Sequence, residues 1–411
     1  MNAKDFLKGL LYKRSELDDW IGGKGFQYSR YDQELGYLPR DRRCKEGMDG
    51  SVCTYTYDTS TGARRMVNFE GAPCRINTYG NSFTAGDQVN DGETWQEILA
   101  AHLGEPMRNF GVGGYSVYQM FLRMKREEKR LPAEYIILNI YDDDHYRSLT
   151  GWQRTRYGRE SLCPPIPYVE ANPAEKTFHE HKNPCPEAKD LYDLCRLDWT
   201  YERFKDDFCM RIMLAKANAE KGTPADSYRD IEALSEEHGV RTKIGTAREL
   251  LKTANALFVT SAIYASTRIV DEVEEFAARE LKRTLYITSY GAASVANRIR
   301  PGRGINVPEV RRPGSAFNQN FVNSMRKRVP NYVDLMEEHL ADFSTRKVSA
   351  LRYIKEYYVA PVTPYTHYAP LGNHFTAFSV KEMLVELLDS KPISYRGVEG
   401  AAAGNFCVNL N

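Results

Sequence analysis

No stretch of the 411 residues approaches the roughly 20 consecutive apolar positions that a membrane helix needs, so no membrane partner is expected. Charge of one sign is also missing. Fifty-six Lys and Arg balance 55 Asp and Glu to a net +1, which excludes a bulk field for nucleic acid. The basic clusters from Arg298 to Arg312 and at Arg326-Lys327-Arg328 read as a solvated loop and a helix end. The 8 cysteines form no Cys-x-x-Cys pair and no zinc-type spacing with histidine, so neither a metal nor a cofactor is expected. The first fourteen residues lack the apolar core of a signal peptide. Free thiols in a reducing cytoplasm are the expectation; Cys44 and Cys53 would pair across their loop only in an oxidising compartment. No internal repeat is visible.

What is present is an ordinary globular composition, 42% apolar and 27% charged, long enough for two domains or for one α/β domain with large insertions. The chain is organised around residues 75–86. Ile76 to Tyr79 reads as a short buried strand, Gly80 breaks it, and Ser82 follows on the turn. A polar run from Ala85 to Glu93 then leads into an amphipathic helix over 94–103. A strand, a tight glycine turn, an exposed hydroxyl and a helix is how α/β enzymes present a nucleophile, with the glycine expected to supply a positive φ. The plainer reading of Gly-x-Ser at a strand end is a turn and nothing more.

Strands are expected near 74–80, 106–110, 135–142, 284–289 and 357–360, with helices at 94–103, 115–130, 246–283, 331–342 and 376–389. The strands are nearly continuous apolar runs alternating with helices, which predicts a doubly wound parallel sheet of five strands with its crevice at the carboxyl ends. Ser82, Gly114 and the Asp142–Asp144 run all leave the sheet at that end.

Gly80-Asn81-Ser82-Phe83-Thr84 resembles the first sequence block of the SGNH (GDSL) hydrolases. Asn109-Phe-Gly-Val-Gly-Gly-Tyr115 looks like their second block, Tyr135 to Asp144 like the third, and Gly372-Asn373-His374 like the fifth. The four blocks keep the family's order over residues 70–150 and 283–390. The resemblance implies a three-layer, flavodoxin-like α/β fold and an esterase or other acyl hydrolase of a small polar substrate. Ser82 would be the nucleophile, His374 the general base, and the backbone N–H groups of Ser82 and Gly114 the oxyanion donors. His367, seven residues earlier in a Tyr-rich loop, competes with His374, which is preferred because it is placed just before the last helix.

Three positions depart from the family pattern. Asn81 stands where an Asp usually flanks the nucleophile. Leu371 replaces the acid that would orient His374. Asp143, with Asp142 as the other candidate, stands where the family has a neutral Asn donor. Either Asp143 is protonated, as a buried carboxylic acid can be, or the cleft stabilises a cation or a metal through Asp142–Asp144, or hydrolysis is lost. An acyltransferase and a ligand-binding pseudo-enzyme are the rival readings.

The domain plan runs from an extension over 1–70, through an α/β unit over 71–150 and 283–390, to a tail over 391–411. An insertion spans 151–282. Its proline-spaced first part holds His179 and His181, and it is expected to cover the cleft or to build a subunit contact in a homo-oligomer.

Overall fold

The computed structural model describes residues 1–23, 29–159, 161, 163–222, 225–240, 244–300, 318–360 and 366–395. Phe26, Tyr28, the basic loop 302–313 and the tail from Ala401 lie outside them. Eleven strands are named here in chain order: β1 (Ser29–Asp32), β2 (Gly36–Pro39), β3 (Arg42–Lys45), β4 (Val52–Tyr55), β5 (Ile76–Gly80), β6 (Met107–Asn109), β7 (Tyr135–Tyr141), β8 (Tyr168–Asn172), β9 (Thr177–His181), β10 (Arg283–Ser289) and β11 (Tyr332–Asp334).

Five of them form one parallel sheet in the order β11-β10-β7-β5-β6. Alternate residues of β7 point to opposite faces, and both faces are apolar, so helices must cover both. Tyr135 and Ile137 join one core with Ile76, Leu285 and Ile287, beneath helices Trp95–Leu103, Ala350–Tyr357 and Pro370–Leu387. Ile136, Leu138 and Ile140 join a larger core with Tyr79 and Tyr286, beneath Val117–Arg130 and the single 33-residue helix Ala247–Arg279. The result is a three-layer α/β architecture. The order of strands reverses between β5 and β7, and in such sheets the ligand crevice opens at that switch point.

Helix limits follow local capping. Thr94 accepts from Glu97 N at the start of Trp95–Leu103. Ser116 and Gln119 form a reciprocal capping box at the start of Val117–Arg130. Among the described residues no helix is long and apolar enough to cross a membrane.

The fifth strand is not where the sequence placed it. It is Tyr332–Asp334, inside the first turn of the helix expected over 331–342, and that helix begins only at Leu335. Around 357–360 there is one isolated bridge, Tyr358 with Tyr368. Tyr353, Ile354 and Tyr357 bury one stripe at helical spacing, which takes the preceding residues into the helix Ala350–Tyr357.

The larger core also runs through the first 40 residues, with Leu7, Leu17, Trp20 and Leu38, and through the segment after β7, with Leu191, Met210 and Ile231. That segment contains the antiparallel hairpin β8–β9, which the proline-rich sequence concealed. His179 and His181 lie on β9, where His181 stacks on Tyr168 and pairs with Glu170 at 3.2 Å.

Candidate active site

Ser82 is the first residue of a one-turn helix, Ser82–Ala85, at the carboxyl end of β5. Asn81 caps that turn: its side-chain oxygen accepts from Phe83 N at 2.8 Å, and its amide nitrogen donates to Asp144 at 2.8 Å. Gly80 is required, but not for the reason read from the sequence, because its φ is not positive. A Cβ there would lie 1.9 Å from Thr84 Oγ1 and 2.7 Å from the Asn139 carbonyl oxygen. The helical turn therefore folds straight back over the strand end, and only a residue without a side chain lets it pass. Arg64 fastens the loop that follows. Its buried guanidinium donates to the carbonyls of Ala85, Gly86 and Val89 and pairs with Asp91 at 2.9 Å.

The imidazole on Ser82 is that of His367, not His374. His367 Nε2 lies 2.8 Å from Ser82 Oγ, across 285 residues of sequence. His374 stands on the exposed side of the last helix and stacks on Phe378. The cause is the helix boundary. The helix starts at Pro370, a residue preorganised for the first helical position, so His374 is already in its second turn and His367 is the histidine that precedes it.

The tautomer of His367 follows from its neighbours. The backbone N–H of His367 can only donate, and it points at the side chain of Gln88 at 2.7 Å, so the facing atom is the amide oxygen. The same oxygen lies 3.3 Å from His367 Nδ1, which therefore carries the proton. Nε2 is left unprotonated and accepts from the Ser82 hydroxyl, the arrangement a general base requires. Burial pushes the His367 pKa below its ordinary value, Asp87 and Glu46 oppose that shift, and Arg42 and Arg147 add to it. The imidazole is thus neutral near pH 7.

Gly113 passes beside Ser82. A Cβ on Gly113 would sit 3.9 Å from Ser82 Cβ and 2.9 Å from an Asp87 oxygen. Tyr37 donates to the Gly113 carbonyl at 2.8 Å, and in a trans peptide this leaves the Gly114 N–H pointing the opposite way. Gly114 itself has a φ of +79°.

The acidic run does not converge. Asp142 is buried, accepts from Ser294 at 2.5 Å, and is pushed up to about 7 by burial. Asp144 accepts from Asn81, from Tyr141 N at 2.9 Å and from Arg147 at 2.7 Å, and burial raises it too. Asp143 overturns the idea of a protonated donor. Burial alone would raise it, but Arg156 and Arg147, with a bond from Tyr157 at 2.5 Å, outweigh that cost and hold it well below the usual carboxylate range. Two arginines occupy the place a cation would take. Among the described residues no group of three His, Cys, Asp or Glu is arranged to hold a metal.

Sequence reasoning missed Gln88 and Asp87, because the family resemblance implies an acid close before the histidine. It also missed Arg156 and Tyr157, which bring the segment after β7 onto Asp143. Only the choice between His367 and His374 had a sequence signal, Pro370 as a helix start.

No family model and no curated protein matches the chain. A solved acetyl xylan esterase overlays with a TM-score of 0.35 and 12% identity, over 75% of this chain and 99% of that one. A likeness that remote carries no argument about activity.

Proposed function

We infer that the protein is a serine hydrolase of the SGNH type, cleaving an ester or other acyl bond of a small polar substrate. Ser82 attacks the acyl carbon while His367 takes the hydroxyl proton and later returns one to the leaving group. The N–H groups of Ser82 and Gly114 serve as oxyanion donors. The observation that carries this reading is the 2.8 Å contact between Ser82 Oγ and His367 Nε2 at the switch point of a parallel sheet, with the tautomer held as a base. Asp143 supplies no donor in this scheme, and its charge is spent on Arg156, Arg147 and Tyr157. Those same partners weigh against cation binding through Asp142–Asp144.

The test is turnover of short-chain aryl esters by the parent and by Ser82→Ala. The parent is expected to be active, and the variant should lose on the order of 10⁴-fold or more in kcat with its fold intact. Turnover that survives the substitution unchanged removes the reading.

A further inference from the structure

A Ser–His–acid triad asks two things of its acid: to hold the imidazole in one tautomer and orientation, and to stabilise the imidazolium that forms. Among the described residues no carboxylate is hydrogen-bonded to His367. The atom on its Nδ1 side belongs to a neutral amide, Gln88 Oε1, which orients the ring but brings no full charge. The preceding residue, Asp87, places a carboxylate beside the Ser82–His367 pair: its oxygen would lie 2.9 Å from a Cβ on Gly113 that is itself 3.9 Å from Ser82 Cβ, and its charge favours the protonated ring. Asp87 and Gln88 are both held from outside the turn by one hairpin. Arg42 of β3 donates to Asp87 at 3.1 Å and lies 3.7 Å over the ring of Tyr55. The Tyr55 hydroxyl, at the end of β4, accepts from Gln88 N at 2.6 Å and donates to Glu46. That contact fixes a costly backbone, because Gln88 has a φ of +69° and a non-glycine residue there persists only where its surroundings impose it.

We propose that Asp87 and Gln88 divide the work of the missing acid, Gln88 orienting His367 and Asp87 supplying the charge, with Arg42 and Tyr55 as the positioning residues that hold the pair. The proposal rests on Ser82 and His367 being nucleophile and base. Of the charged groups around His367, Asp87 and Glu46 favour its protonated form, and Arg42 and Arg147 disfavour it. The two roles are therefore separable by substitution.

The experiment is an NMR titration of the His367 ring, assigned by its loss in His367→Ala, alongside the pH dependence of fluorophosphonate labelling in the same variants. Asp87→Asn should move the His367 titration to lower pH, and Arg42→Gln should move it to higher pH, each by on the order of half a unit. Gln88→Leu should leave the midpoint near its parent value but slow labelling at least about tenfold, because a neutral orienting group has gone. Gln88→Glu should restore labelling and raise the midpoint, which a purely structural role for Gln88 would not give. Tyr55→Phe should slow labelling in the manner of Gln88→Leu while Tyr55→Ala does so further. Shifts of the same sign in Asp87→Asn and Arg42→Gln, or no shift in either, overturn the proposal. So does full-rate labelling in Gln88→Leu. If the parent is not labelled at any pH, the reading of Ser82 falls and takes the proposal with it. If labelling is normal and the titrations do not move, the proposal alone falls.

Discussion

Replacing His367 with alanine is expected to lower the kcat for ester hydrolysis by about 10²–10⁴-fold, the usual contribution of a positioned general base. Replacing His374 is expected to change stability by no more than about 0.5 kcal/mol, as for an ordinary exposed side chain, and to leave kcat near the parent value. The asymmetry comes from position. One imidazole accepts from Ser82 Oγ at 2.8 Å, and the other rests on Phe378 on the outer side of a helix. Kinetics of the two alanine variants on one substrate decide the matter. Equal effects, or a larger effect at His374, would mean that the ring on Ser82 is not the base.

The second large effect is on stability, at Gly111. A Cβ there would lie 2.2 Å from Ala85 N and 2.6 Å from the Thr84 carbonyl carbon. These are backbone atoms of the turn that carries Ser82, and they cannot swing aside as the tip of a side chain can. Gly111→Ala is expected to cost about 3 kcal/mol or more, the upper end of forced overpacking, and to lower the urea midpoint accordingly. The control is Gly71→Ala. Gly71 has a φ of +75° but nothing within 4 Å of the added atom, so only the left-handed backbone is penalised, about 1–2 kcal/mol. A Gly111 variant that is no less stable than the Gly71 variant would show that the loop after β6 does not press on the Ser82 turn.

Much of the fold was legible because it rests on short-range signals. The apolar runs of β5, β7 and β10 announce strands buried on both faces, and the helices expected at 94–103 and 115–130 are found at Trp95–Leu103 and Val117–Arg130. Gly80 and Ser82 were readable as a turn, although the glycine answers to a close approach rather than to a positive φ. The two errors in the C-terminal third share one source, misplaced helix boundaries. The three-residue edge strand Tyr332–Asp334 is too short to show a period, and Pro370 was read as loop when it opens a helix. That second slip exchanged His367 for His374.

The site's remaining parts were illegible for a different reason. Gln88 carries no sequence mark of a catalytic partner, and its left-handed backbone is imposed by Tyr55, 33 residues away. Asp143 is ionised because Arg156 and Tyr157 fold back onto it, which its apolar neighbours Ile140 and Tyr141 could not disclose. Where local propensity decides, the chain could be read; where a distant residue sets charge or geometry, only the folded structure supplies the answer.

The central claim is that Ser82 is a nucleophile activated by His367. Its most direct test is to treat the protein with a fluorophosphonate at pH 7–8 and map the adduct by peptide mass spectrometry. The account expects one adduct, on the peptide containing Ser82, absent in Ser82→Ala and strongly slowed in His367→Ala but not in His374→Ala. No adduct on the folded parent, or one that persists in Ser82→Ala, would contradict it.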